Sequence, residues 1–212
     1  MKGKKELFLS LSCFLLAFLL MMVWNQQKQE SFAARIAPDI LRFHVLANSD
    51  SREDQDLKLE VRTLLLNTMY EQLGPDATKD ETCTYIRNNH KSLEKLADTY
   101  MIEKGFDYRA HMELTTCHFP VKTYGDMVFP SGTYEAARVT IGKGEGHNWW
   151  CVLYPPLCFV DATYAVVPDT SKQTLKNVLD DEDYQALFDK RGEMGRVRLK
   201  SKFLEMAIGR GA

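Results

Sequence analysis

Asp39-Ile40-Leu41-Arg42-Phe43-His44-Val45-Leu46-Ala47, running straight into Asn48-Ser49-Asp50-Ser51, is the stretch that decides how the fold is read. Its first nine residues are rich in β-formers and alternate, with Leu41, Phe43 and Val45 on one face and Ile40, Arg42, His44 and Leu46 on the other, which predicts a strand. Arg42 and His44 therefore share a face. The Asn-Ser-Asp-Ser run ends the strand and supplies helix caps. Beyond it Leu57, Val61, Leu64, Leu65 and Met69 recur at helical spacing until Gly74-Pro75 stops the pattern.

A second helix starts at Thr78, whose hydroxyl can cap the amide three residues on while Glu81 reaches back. Its apolar stripe is Cys83, Ile86, His90, Leu93, Ala97 and Tyr100, and it ends at Gly105; within that stripe His90 reads as a packing residue. Two antiparallel helices of this length would cover one face of a sheet. Strands follow at Phe106–Phe119, Gly132–Ile141 and Trp149–Tyr154, the last two joined by Gly142-Lys143-Gly144-Glu145-Gly146, whose glycines suit a hairpin loop. Short helices open at Pro168-Asp169 and at Asp180–Asp183. The tail alternates at Val197 and Leu199 and closes on an amphipathic Phe203–Ile208. The fold class expected is α+β: a mainly antiparallel sheet covered by two long helices, with short C-terminal helices.

Upstream, Lys2, Lys4 and Lys5 precede an uncharged apolar run from Leu7 to Trp24, followed by a polar stretch and Ser31-Phe32-Ala33-Ala34. That is the layout of an export signal. A charge in hydrocarbon costs roughly 2.5–3.5 kcal/mol, so a run free of charge partitions into a membrane. The chain therefore divides into a leader, residues 1–34, and one exported domain, residues 35–212. The leader is read as a signal peptide cut after Ala33, with retention of residues 7–24 as a membrane anchor as the alternative.

Removing the four lysines and two glutamates of the leader leaves 23 basic against 27 acidic residues in the domain. This mildly negative balance, with no basic stripe interleaved with aromatics, argues against nucleic acid. The glycine run at 142–146 lacks the Lys-Ser or Lys-Thr that a phosphate cradle requires, so nucleotide binding is discarded. Four cysteines remain in the domain: Cys83, Cys117, Cys151 and Cys158. An even number in an oxidising compartment suggests disulfides, though three pairings are open and all four could be buried thiols. The turn forced by Pro155-Pro156 favours Cys151 with Cys158.

The densest cluster of unusual residues is Gly144-Glu-Gly-His-Asn-Trp-Trp-Cys151. One reading makes Cys151 a nucleophile with His147 as its base. Four residues along a strand place them about 13 Å apart, beyond hydrogen-bond reach. The structural reading sends Trp149 and Cys151 into the core, turns Trp150 and Val152 to the other face, and staples Cys151 to Cys158. His111, Glu113 and Cys117 share a strand face and could in principle hold a metal, but a solvated sheet surface has the same pattern.

Two stretches together resemble the stage II sporulation protein R family. One is Leu41-Arg-Phe-His-Val-Leu-Ala-Asn-Ser-Asp50, with Asp54-Gln-Asp-Leu-Lys58 and Val61-Arg62 behind it. The other runs from Tyr134 to Asp161 and ends in His-Asn-Trp-Trp-Cys-Val-Leu-Tyr-Pro-Pro-Leu-Cys-Phe-Val-Asp. The resemblance covers roughly Asp39 to Asp161 and a looser tail; Cys83 and Cys117 have no place in it.

It implies a signalling protein of endospore formation, not an enzyme. Such a protein crosses the forespore membrane into the space between the septal membranes. There it activates a membrane-embedded aspartic protease of the mother cell from its extracytoplasmic face, and the protease then processes the sigma-E precursor. No cofactor or small-molecule substrate is expected. The residues expected to meet the partner are His44, Asn48 and Asp50 at the end of the first strand, with His147 and Asn148 at the loop. The rival reading is an exported cysteine hydrolase or thiol oxidoreductase using Cys151 and His147.

Overall fold

The computed structural model describes residues 2–158 and 167–188. The alternation expected at Val197 and Leu199, the amphipathic end at Phe203–Ile208 and Asp161 lie outside them. Helix α1 (Lys2–Ile36) passes through a short 3-10 turn (Ala37–Asp39) into β1 (Leu41–Leu46). Helices α2 (Arg52–Leu73) and α3 (Lys79–Glu103) follow, then strands β2 (Ala110–Phe119), β3 (Lys122–Tyr124), β4 (Met127–Phe129), β5 (Gly132–Ile141) and β6 (Asn148–Tyr154). Short helices α4 (Asp169–Val178) and α5 (Asp181–Ala186) complete the described chain.

The caps are those that the sequence predicts. Ser51 accepts the Asp54 amide at 3.2 Å, and Thr78 with Glu81 forms a complete capping box. Gly74 ends α2 at φ +76°, a conformation in which a side chain would clash with its own backbone.

Four strands make one sheet in the order β2-β5-β1-β6, and β3 pairs with β4 in a small separate hairpin. The outer pairings, β2 with β5 and β1 with β6, are antiparallel, but the central pair, β1 with β5, is parallel. The sheet is therefore mixed. This corrects the expected hairpin between β5 and β6, because β1 lies between those two strands. Residues 142–147 are a connection that crosses over the C-terminal end of β1.

Both faces of β1 are covered. Phe43 packs edge-on against Trp149 with centroids 6.3 Å apart, and Arg62 of α2 lies 4.6 Å over the Trp149 ring, so α2 occupies that side. On the opposite side Arg42 is fully buried, with its guanidinium 4.4 Å from the Phe119 ring, 5.0 Å from Tyr134 and 5.5 Å from Phe129. The β3–β4 hairpin, which the sequence reading missed, supplies Phe129 together with Tyr124, whose hydroxyl accepts from Arg42 Nη2 at 3.4 Å. Phe43, Val45, Leu57, Val61, Leu65, Ile86, Leu93 and Val139 belong to one apolar core, each worth roughly 1.5–3 kcal/mol of transfer free energy.

The C-terminal end of α1 belongs to that core as well. Ala33 is 1% exposed and Ile36 is fully buried. Arg35 binds both carboxylate oxygens of Asp183 on α5, through Nη2 at 2.7 Å and Nε at 2.9 and 3.1 Å. By contrast, Leu9, Phe14, Leu20 and Trp24 are exposed. Among the described residues this helix is long and apolar enough to cross a membrane.

Candidate functional site

Because the β5–β6 connection crosses the end of β1, it lies on the Ala47–Ser51 loop, and the two segments are knit together. The Gly146 amide donates to the Ala47 carbonyl at 2.9 Å and the Glu145 amide to the Asn48 carbonyl at 3.2 Å. Asn48 bridges further, its Oδ1 accepting the Lys143 amide at 3.0 Å while Nδ2 donates to Asp54 at 2.9 Å. Ser49 Oγ donates to the same Asp54 oxygen at 2.6 Å, and Gln55 Nε2 donates to the Ser49 carbonyl at 2.9 Å. Lys58 reaches the His147 carbonyl at 2.9 Å. Asp50 accepts the His147 amide at 2.6 Å and pairs with the imidazole Nδ1.

The electrostatics follow from these contacts. Burial pushes the Asp54 carboxyl up, but the bonds from Ser49 and Asn48 outweigh it and hold it below the usual range. Bonds from the His147 side chain and amide do the same for Asp50. Burial lowers the Lys58 ammonium. These bonds tie the two loops into one polar surface whose exposed residues include Asp50, Lys143, Glu145, His147 and Asn148, with the half-buried Asn48 bonded to both loops.

His44 stands apart from this cluster. It is 4% exposed, stacked on Trp150 at 4.7 Å and 8°, with Nε2 3.6 Å from Cys117 Sγ. Burial, with the charges of Arg138 and Arg42, lowers its pKa to about 4, so the ring is neutral near pH 7. Burial also raises the Cys117 thiol. A neutral imidazole beside a protonated thiol is not an activated nucleophile.

Nor do Cys151 and His147 form a reactive pair. Cys151 is buried and disulfide-bonded to Cys158 with Cα atoms 5.3 Å apart, while His147 turns outward to Asp50. His111, Glu113 and Cys117 do not converge either. His111 pairs with Glu94 at 2.9 Å, Glu113 with Arg138 at 3.0 Å, and Cys117 with His44. Among the described residues no group of His, Cys, Asp or Glu could hold a metal ion.

The family model described as Stage II sporulation protein R (spore_II_R) matches residues 37–164. The chain belongs to the stage II sporulation protein R family. A curated relative, Stage II sporulation protein R of Bacillus subtilis (strain 168), is 34% identical over 173 residues, covering 79% of this chain and 77% of the relative. No solved structure matches.

The two stretches that carry the resemblance to the stage II sporulation protein R family are the two that meet here. Asn48, Ser49 and Asp50 from the first hold the loop that leads into His147 and Asn148 of the second. Sequence reasoning missed Asp54, Lys58 and the role of the glycines. The available signal was three alternate glycines, 142, 144 and 146, in a chain that also carries the Asn-Ser-Asp run.

Proposed function

We propose that this chain is an exported signal of endospore formation that activates a membrane-embedded aspartic protease in the mother cell, leading to processing of the sigma-E precursor. Family membership over most of the chain supports this reading. So does helix α1, which has the length and composition to cross a membrane. The absence of an activated thiol at Cys117 or Cys151 among the described residues weighs against the cysteine-enzyme alternative.

Export leaves the domain outside the forespore membrane and facing the partner. The burial of Ala33 and Ile36 favours the retained anchor over cleavage after Ala33, since a cut there would remove Ala33 from the apolar core and leave Ile36 two residues from a chain end. The expected docking residues are then the exposed Asp50, His147 and Asn148, positioned by Asn48, while His44 supports the sheet beneath. A bound signal can favour an active protease dimer only through different affinities for its two states.

The experiment is coexpression of the full chain, the protease and the sigma-E precursor in a host that does not sporulate. The chain should shorten the precursor. The double variant Asp50→Ala with His147→Ala should be exported but fail to do so. Processing that is unchanged by omitting the chain sinks the function; normal processing with the variant sinks only the loop assignment.

A further inference from the structure

Among the described residues the outer edge of β2 is half closed and half open. All ten residues of β2 pair with β5 in an unbroken register. The Ala110 amide donates to Asp98 of α3 at 2.7 Å and the Met112 amide to Glu94 of α3 at 2.8 Å, so the even-numbered amides point away from β5. In an antiparallel pair a residue that turns its amide outward turns its carbonyl outward too. Two carboxylates of α3 thus cap the first half of the edge. The alternation carries on through Leu114, Thr116 and His118, whose amides find no such cap among the described residues. The segment Leu114-Thr-Thr-Cys-His-Phe119 carries no lysine, acidic residue or proline, the devices by which natural sheets block an open edge.

Grooves line both halves of this edge. One lies between Ile86, Arg87 and His90 of α3 and His111–Leu114 of β2; the next is bordered by Lys79, Arg87, Leu114, Thr116 and Glu135. Their charge is unbalanced. Lys79 and Arg87 share one carboxylate, Glu135, at 3.2 and 3.4 Å, with Lys79 also donating to the Pro38 carbonyl at 2.6 Å, whereas Glu113 is already paired with Arg138. Arg87 remains 59% exposed.

We propose that Leu114–His118 is a docking edge that takes an extended, acidic segment of the partner protein as a fifth strand, with its carboxylate directed to Arg87 and Lys79. This is strand addition between a sheet edge and a helix, in which main-chain bonds supply affinity and the flanking cations select the sequence. The assignment rests on the signalling reading above and names a second contact on the same partner.

The test uses full-length chain and protease reconstituted in the same vesicles. Thr116→Pro removes one outward amide and no ladder bond, because proline is tolerated at edge positions facing solvent. It should lower precursor processing about tenfold, the equivalent of one backbone hydrogen bond. Arg87→Glu, at an exposed position, should also lower processing with folding unchanged. A photoreactive side chain placed at residue 116 should cross-link to the protease, and one at the exposed Glu71 should not. Wild-type activity in both variants, or an adduct at residue 116 joining two copies of this chain, overturns the edge assignment and leaves the signalling function standing. A wild-type chain that does not activate the protease at all overturns both.

Discussion

Gly146 lies against the backbone of Ser49, so close that a Cβ on it would sit 2.1 Å from the Ser49 carbonyl oxygen. Its amide meanwhile donates to Ala47 at 2.9 Å. The end of β1 and the connection crossing it are thus in direct backbone contact, and a residue with a side chain cannot occupy that place without separating them.

Gly146→Ala is therefore expected to destabilise the domain by about 1–3 kcal/mol, in line with other substitutions that force a packed backbone apart. Urea denaturation measures the loss. Stability within about 0.5 kcal/mol of wild type would show that the loop moves freely away from Ser49.

Asp54 accepts from both Asn48 Nδ2 and Ser49 Oγ. Replacing it with Ala strands two donors in a half-buried site, which costs on the order of 1–3 kcal/mol. Asp54→Asn keeps an acceptor and should lose less. Amide exchange at Lys143 and His147 should speed up in Asp54→Ala; protection equal to wild type there would mean the clamp is held by other bonds.

His44 has a folded pKa of about 4 against an ordinary value of 6.5. In that interval the unfolded chain binds a proton that the folded chain does not, so stability rises with pH across the window and is lost as pH falls from 6.5 toward 4. The full effect is on the order of 3 kcal/mol. Chemical denaturation at pH 7 and pH 4.5 should show the slope in wild type and a flatter one in His44→Gln. An equal slope in both would assign it to other groups.

Arg42 is fully buried and faces three aromatic rings, and two of its nitrogens, Nε and Nη1, find no hydrogen-bond partner among the described residues. Burial lowers its pKa. Replacing buried ion pairs by apolar residues of similar volume is often neutral or stabilising by about 1–4 kcal/mol because desolvation is relieved, and Arg42 bears that desolvation with no carboxylate bonded to it among the described residues. Arg42→Met should match or exceed wild-type stability, whereas Arg42→Ala, which leaves a cavity, should fall by roughly 2–5 kcal/mol. A thermal scan of the pair separates charge from volume, and a large loss in Arg42→Met would mean that the cation–π contacts outweigh the desolvation.

Ala33 packs on Gly132, where a Cβ would come within 2.2 Å of the Ala33 Cβ. Gly132→Val should push the end of α1 off β5, exposing residues 30–36 to proteolysis while the rest of the sheet stays protected. Equal resistance in variant and wild type would show that α1 is not docked there.

Local chemistry made much of this chain legible. Alternation at 40–46 defined β1, Ser51 and Thr78 marked the starts of α2 and α3, and Pro155-Pro156 foretold the return that brings Cys158 to Cys151. The apolar run at 7–24 marked a helix long and apolar enough to cross a membrane, because periodicity, capping and hydropathy depend only on near neighbours in sequence. Three features were not legible. Nothing near Gly142 indicates that β1, about a hundred residues earlier, lies between β5 and β6, so a crossing connection reads as a hairpin. Nothing near Arg42 reveals that Phe119, Phe129 and Tyr134 converge on it. Nor does the alternation of β2 reveal that Asp98 and Glu94 of α3 bond the amides of Ala110 and Met112 at the first half of that strand. Strand order and edge exposure are properties of long-range packing, in which a residue's environment is set by segments far away in the chain. The sequence thus determined the family and the elements other than the β3–β4 hairpin, while only the tertiary structure decided which polar residues stand at the surface and which are locked beneath it.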